Sequence, residues 1–136
     1  MPPGWLAAQF FFQVLMSNKI AVLVVEDEMI IRMDIADHLS EEGYEVFEAG
    51  TADEAIAVLE SEPSIRLLFT DIDMPGSMDG LNLAAAVRDR WPLVRIVVTS
   101  GHRMVVVADI PAGGVFLSKP YGHDAVCASF RELLSA

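Results

Sequence analysis

From residue 20 onward the chain alternates, five times over, between a short apolar run and a stretch with helical spacing. No other feature of the sequence restricts the fold as strongly. The runs are residues 20–25 (IAVLVV), 44–48 (YEVFE), 66–70 (RLLFT), 94–99 (VRIVVT) and 114–118 (GVFLS). The first, third and fourth are almost continuously apolar, the pattern of parallel strands covered on both faces. Behind the first run, Ile31, Ile35 and Leu39 recur at helical spacing, with Gly43 at the expected stop. Thr51 to Glu54 reads as a capping box, and Ala52, Ile56 and Leu59 continue that helix. Leu81, Ala84, Ala85 and Arg88 open a third helix that should end before Pro92. Residues 104–108 are short and valine-rich, which gives a fourth helix low propensity. Val126, Phe130 and Leu133 carry the last one.

Alternating strand and helix units imply a parallel sheet with right-handed crossovers. Five of them give an α/β doubly wound sandwich of the flavodoxin-like kind, a (βα)5 fold whose five-stranded parallel sheet is expected in the order 2-1-3-4-5. In such sheets a ligand lies beyond the carboxyl ends of the strands. A length of 136 residues holds one domain. The expected division is an apolar extension over residues 1–19 and the folded domain over residues 20–136. An apolar share of 53% with 21% charged residues excludes intrinsic disorder. Nine basic against twenty acidic side chains give a net charge of −11, which repels phosphate backbones, so no direct nucleic-acid binding is expected. The lone Cys127 can form neither an internal disulfide nor a cysteine zinc cluster, in keeping with a reducing cytoplasm. No stretch approaches the roughly 20 apolar residues of a membrane span.

The extension carries a single charge, Lys19, and an apolar run from Trp5 to Met16 broken by Gln9 and Gln13. It lacks the basic start and the cleavage site of an export signal. Three readings stay open for it. It could form a short helix packed on the domain or on a partner. Translation could begin at Met16, which would leave the segment outside the natural protein. A membrane-surface role is the third, although the basic face that usually supports one is missing.

The first strand runs into Glu26-Asp27-Glu28, and the third into Asp71, followed by Asp73 and Met74-Pro75. With strands one and three adjacent, these carboxylates converge and repel one another. A hard divalent cation is the natural compensation, and all-oxygen donors with open positions favour Mg²⁺. The fourth strand ends in Thr99-Ser100-Gly101, a hydroxyl source, and the fifth in Ser118-Lys119-Pro120, an ammonium. Together these groups form a site for a tetrahedral anion held on a metal. Each has an ordinary reading when taken alone. Glu28 is a favourable charge at a helix N-terminus and Asp27 an N-cap, Asp71 a strand-end polar residue and Lys119 a solvated charge. Asp79-Gly80 reads as a turn and helix start, His38, His102 and His123 as surface residues without metal-ligand spacing, and the methionines as core. The joint placement of acid, hydroxyl and base at strand carboxyl ends is what separates the site from those readings. A nucleotide- or flavin-binding enzyme would need G-x-x-x-x-G-K-[ST] or G-x-G-x-x-G, and neither occurs.

Four segments occur in order: Val24-Val25-Glu26-Asp27-Glu28; Asp71-Ile72-Asp73-Met74-Pro75 with Asp79-Gly80 behind it; Thr99-Ser100-Gly101; and Leu117-Ser118-Lys119-Pro120. Over residues 20 to 134 they resemble the receiver domain of two-component response regulators. The layout is closest to stand-alone, chemotaxis-type receivers. Sixteen residues follow Pro120, so no DNA-binding module is expected behind the last helix.

The resemblance implies that Asp71 is the phosphoacceptor, attacking a phosphohistidine on a partner sensor histidine kinase or phosphotransfer protein. It implies Mg²⁺ as cofactor, held by Asp27, Asp71 and the main-chain carbonyl of Asp73. Glu26 stands where aspartate is more common and would reach the metal through water. Lys119 would pair with the phosphoryl oxygens. The switch hydroxyl would come from Ser100, with Gly101 in the small-residue position, or alternatively from Thr99. Phe116, three residues before Lys119, takes the aromatic position that follows the switch inward, here without a hydroxyl. Asp73 and, with Ser100 as the switch, His102 take positions that influence phosphoryl lifetime. The output would be a changed surface near the fourth and fifth strands, read by a downstream protein target. Receivers of this kind often pair as homodimers through the fourth and fifth units, and they catalyse only their own phosphorylation and dephosphorylation. A pseudo-receiver, the same fold used as a constitutive interaction module without phosphorylation, is the competing reading. The intact set Asp27, Asp71, Ser100 and Lys119 argues against it.

Overall fold

The computed structural model describes residues 19–74, 78–101 and 110–135, together with Gly4. In chain order the elements are β1 (Ala21–Val25), α1 (Met29–Glu41), β2 (Glu45–Ala49), α2 (Ala52–Ser61), β3 (Ile65–Asp71), α3 (Gly80–Arg90), β4 (Arg95–Ser100), β5 (Val115–Ser118) and α4 (His123–Ser135). The five strands form one sheet in the order β2-β1-β3-β4-β5, and every pairing is parallel. Fold class and strand order are those expected from the sequence. Residues 5–18 of the apolar extension, the weak helix at residues 104–108 and His102 lie outside the described residues.

Side chains alternate across the sheet and sort into two cores. Val22, Val24, Leu67, Phe69 and Val97 face α1 and α4, where Ile35, Leu39, Val126 and Phe130 meet them. Leu23, Val25, Leu68, Ile96 and Val98 face α2 and α3, where Ala55, Leu59, Leu83 and Val87 meet them. β1, β3 and β4 are central and therefore apolar on both faces. β2 lies at an edge, which explains its more polar sequence, with Glu45 and Glu48 exposed.

Local signals act largely as the sequence suggests. Gly43 adopts φ +98, and the Gly43 and Tyr44 amides donate to the Ser40 and Leu39 carbonyls, closing α1 in a Schellman motif. Thr51 Oγ1 accepts from the Glu54 amide at 3.1 Å. The reciprocal arm is displaced by one residue, because Glu54 Oε2 accepts from the Gly50 amide at 2.8 Å. Asp79 caps α3 by accepting from the Asn82 amide at 2.8 Å. Asp27 is not an N-cap: that position on α1 belongs to Glu28, whose side chain makes no cap bond.

Two expectations are corrected. The buried stripe of α3 is Gly80, Leu83, Ala84 and Val87, one residue out of step with the stripe read from Leu81, Ala84, Ala85 and Arg88. The cause is Gly80: a Cβ there would collide with the Asp71 carbonyl and with Ile72 Cα. The helix therefore enters against β3 along its glycine, a close approach that a hydrophobicity pattern cannot register. The methionines are not all core either. Met74 is buried, but Met29 and Met33 are 62% and 50% exposed. Among the described residues no helix is long and apolar enough to cross a membrane.

Candidate functional site

The carboxyl ends of β1, β3, β4 and β5 meet at one rim, and Glu26, Asp27, Asp71, Asp73, Ser100 and Lys119 stand there. Glu26 and Asp71 are 3% and 4% exposed, whereas Asp27 and Asp73 face solvent. Carboxylate oxygens of Glu26, Asp27 and Asp71 all lie within 4.8 Å of one another. The hydrogen-bonded ladder fixes this convergence, since β1 and β3 are neighbours and Val25 is in register with Thr70, one residue before Asp71.

Lys119 supplies the counter-charge. Its Nζ lies 3.0 Å from Asp71 Oδ2 and 3.3 Å from Glu26 Oε1, and its amide donates to the Ser100 carbonyl, which holds the end of β5 against β4. The other Asp71 oxygen, Oδ1, accepts from the Asp73 amide at 3.1 Å. Ser100 Oγ donates to Asp73 Oδ2 at 2.8 Å. Thr99 lies in register with Asp71, and its carbonyl accepts from the Ile72 amide at 2.8 Å. Phe116 is half-buried against the core that faces α2 and α3.

One ammonium among three carboxylates leaves the site under-compensated. Glu26 is pushed up to about 7, first by burial, then by its hydrogen bond with Asp27 and the charge of Asp71. Burial by itself would lower the Lys119 ammonium, but the hydrogen bond and charge of Asp71, joined by Glu26, outweigh it and the net shift is upward. Such a donor set fits a hard divalent cation: oxygen ligands only, two nearly inaccessible carboxylates carrying excess negative charge, and one exposed carboxylate leaving the site open to solvent.

Sequence reasoning missed several neighbours of the site. Arg32 donates through Nη1 to the Glu26 carbonyl at 2.7 Å and through Nε to Glu48 Oε1 at 3.3 Å. Its only signal in the sequence is a charge in the first turns of α1, which reads as solvated. Thr70 Oγ1 donates to the Asp71 carbonyl at 3.0 Å. Beside Lys119, Ile30, Ile31, Asp34, Tyr121 and His123 line a groove of about 550 Å³. His123 Nε2 lies 2.7 Å from Asp34 Oδ2, and its ring stacks on His38 at a centroid distance of 4.3 Å. Tyr121 packs edge-on against Phe69 at 5.4 Å.

Fold and site define a doubly wound α/β domain that gathers acid, hydroxyl and ammonium at one rim. Comparison with known proteins gives that class a family. The model of the response regulator receiver domain matches residues 22–131, and the chain belongs to that family of two-component signalling domains. A putative NtrX-like response regulator of Rickettsia felis is 32% identical over 111 residues, covering 79% of this chain and 23% of the relative. The sensor kinase CckA of Brucella abortus is 31% identical over 123 residues, covering 88% of this chain and 13% of the kinase. The chain thus spans less than a quarter of the length of these two relatives. Among solved structures, a response regulator receiver protein from Sinorhizobium medicae superposes with a TM-score of 0.81 at 28% identity, covering 88% of this chain and 97% of that one.

Proposed function

We propose that this receiver takes a phosphoryl group on Asp71 from the phosphohistidine of a sensor histidine kinase or phosphotransfer protein, in a Mg²⁺-dependent reaction. The observation that carries the reading is the setting of Asp71: buried at the carboxyl end of β3, with one oxygen 3.0 Å from the Lys119 ammonium and the other 3.1 Å from the Asp73 amide. A carboxylate held by two donors at a solvent-open rim is fixed in direction and aimed for attack. In the transfer a carboxylate oxygen of Asp71 bonds to phosphorus, the P–N bond to the donor imidazole breaks, and the imidazole leaves with a proton from solvent. Phosphoryl transfer asks the protein mainly for alignment and for neutralised oxygens. Lys119 serves both, moving from pairing with the carboxylate to pairing with the incoming oxygens.

Asp27, Asp71 and the Asp73 carbonyl would hold Mg²⁺, with Glu26 behind them through water. When bound, the ion offsets the carboxylate charge and stabilises the charge on the transferred group. The phosphoryl group brings roughly −1.5 to −2 charges. The Ser100 hydroxyl, preferred here over Thr99, turns toward it, and Phe116 follows inward. The changed surface beside β4 and β5 is then read by a downstream protein. Catalysis is confined to the domain's own phosphorylation and dephosphorylation.

A donor histidine that approaches Asp71 past exposed Asp27 meets the start of α1. There Met29, Ile30 and Met33 are 62%, 84% and 50% exposed, an apolar face suited to a partner helix.

Intact-mass spectrometry after incubation with acetyl phosphate, with and without Mg²⁺, tests the reading on the parent and Asp71→Asn. The expected result is one Mg²⁺-dependent phosphoryl adduct, absent from the mutant. A parent that gains no adduct and also fails to bind beryllofluoride would establish the pseudo-receiver instead.

A further inference from the structure

We infer that Arg32 is a positioning residue for the divalent cation, acting through the backbone of the acid turn rather than by contact with the ion. The inference rests on the receiver reading above and specifies which residue behind the ligands sets cation affinity.

The Glu26 residue is held from both ends. Its amide donates to the Ala49 carbonyl of β2 at 3.1 Å, and its carbonyl accepts from Arg32 Nη1 at 2.7 Å. That carbonyl belongs to the peptide unit shared with Asp27, so its direction sets where the Asp27 carboxylate starts from. Asp27 faces solvent, and its converging partners Glu26 and Asp71 are fixed by burial, which leaves the peptide between Glu26 and Asp27 as the adjustable joint of the trio. A charged donor at 2.7 Å makes a strong, directional bond to a carbonyl.

Arg32 is itself secured. Its side chain is 18% exposed, and its Nε is held 3.3 Å from Glu48 Oε1 at the end of β2. Gly50 leaves room for the head group: a Cβ there would lie 3.1 Å from Nη1. The guanidinium thus ties the outer strand to the acid turn. Because a fork spans both acceptors at once, a lysine cannot replace it fully. Partners that orient metal ligands from behind typically matter about 10–100-fold in metal affinity.

Isothermal titration of the full chain with Mg²⁺ alone tests this, using the parent, Arg32→Met, Arg32→Lys and Gly50→Ala. Arg32→Met is expected to bind Mg²⁺ about 10-fold or more weakly, with Arg32→Lys recovering part of the loss. Gly50→Ala, which shifts the head group without removing it, falls between parent and Arg32→Met and serves should the methionine variant fold poorly. Phosphorylation from acetyl phosphate provides the second readout: Arg32→Met needs more Mg²⁺ for half-maximal rate, yet reaches a maximal rate within about twofold of the parent, since a residue behind the ligands leaves the filled site intact. Equal Mg²⁺ affinity in parent and variants overturns the inference. So does a lowered maximal rate with an unchanged Mg²⁺ requirement, which would move Arg32 into the transfer step. A parent that binds no Mg²⁺ overturns the receiver reading, and this inference with it.

Discussion

The Ser100 hydroxyl donates to the Asp73 carboxylate at 2.8 Å, joining the end of β4 to the loop behind β3 across 27 positions of sequence. The group proposed to turn toward a phosphoryl oxygen is therefore engaged elsewhere in the resting protein. Arrival of the phosphoryl charge sets two acceptors in competition for one hydroxyl. Hydrogen bonds to charged groups contribute about 1.5–3 kcal/mol, so the competition weighs heavily on the switch.

Removing that acceptor with Asp73→Ala is expected to change the phosphoryl half-life by about tenfold, the factor that 1.4 kcal/mol represents. Decay of the phosphorylated protein, followed by mass, measures it. His102→Ala is expected to change the half-life as well. Equal lifetimes in both variants and the parent would remove the idea.

Lys119→Met leaves Glu26 and Asp71 buried without their ammonium. Breaking one side of a largely buried pair is strongly destabilising, and partial access of water to Lys119 reduces the cost here to about 1–3 kcal/mol. Urea unfolding in metal-free buffer should show this loss. Mg²⁺ should restore more stability to the variant than to the parent, because it replaces the missing positive charge. A variant as stable as the parent without metal would contradict the arrangement.

Glu26 gives a pH dependence with a definite sign. Its folded value of about 7 lies above its ordinary 4.5, so the folded state holds that proton more tightly than the unfolded chain. The corresponding stability is complete below about pH 4.5 and is lost as pH rises through about 7, a change of at most about 3 kcal/mol. The melting temperature of the metal-free protein should fall across this window, and the slope should flatten in Glu26→Gln. Mg²⁺ should raise the melting temperature more at pH 8 than at pH 5.5. Identical slopes in parent and Glu26→Gln would count against the assignment.

Gly80→Ala places a methyl group against the Asp71 carbonyl. Overpacking of this kind costs about 1–3 kcal/mol, and the backbone that must yield carries Asp71, the proposed phosphoacceptor, so slower phosphorylation should accompany lower stability. Thr51→Ala provides the comparison. It removes a helix cap for about 1 kcal/mol without overpacking the Asp71 backbone, so its loss of stability should come without a comparable loss of phosphorylation rate.

The sequence made the sheet legible because central parallel strands must be apolar on both faces, and β1, β3 and β4 are. It made the acids legible because strand order brings Glu26 and Asp71 to one rim whatever the details of packing. The stripe of α3 was out of reach: alanine-rich spacing hardly distinguishes adjacent registers, and the deciding contact is between the missing side chain of Gly80 and a carbonyl. Arg32 and the bond between Ser100 and Asp73 were equally hidden, since residue types at strand ends do not say which acceptor a donor will choose. The apolar residues of α1 misled for a related reason. Met29 and Met33 carry core chemistry on the outer side of the helix.

That outer side has a consequence for how the domain meets other proteins. Met29, Ile30 and Met33 project from the same two turns of α1 whose Arg32 holds the Glu26 carbonyl. A protein that closes over those side chains grips the element that braces the acid turn. Linkage between two such equilibria is reciprocal: a partner that binds more tightly with the ion in place must tighten the ion by the same factor. If α1 takes the proposed partner, docking and ion loading would be coupled through a single helix, and the free Mg²⁺ level would help determine which partner is held.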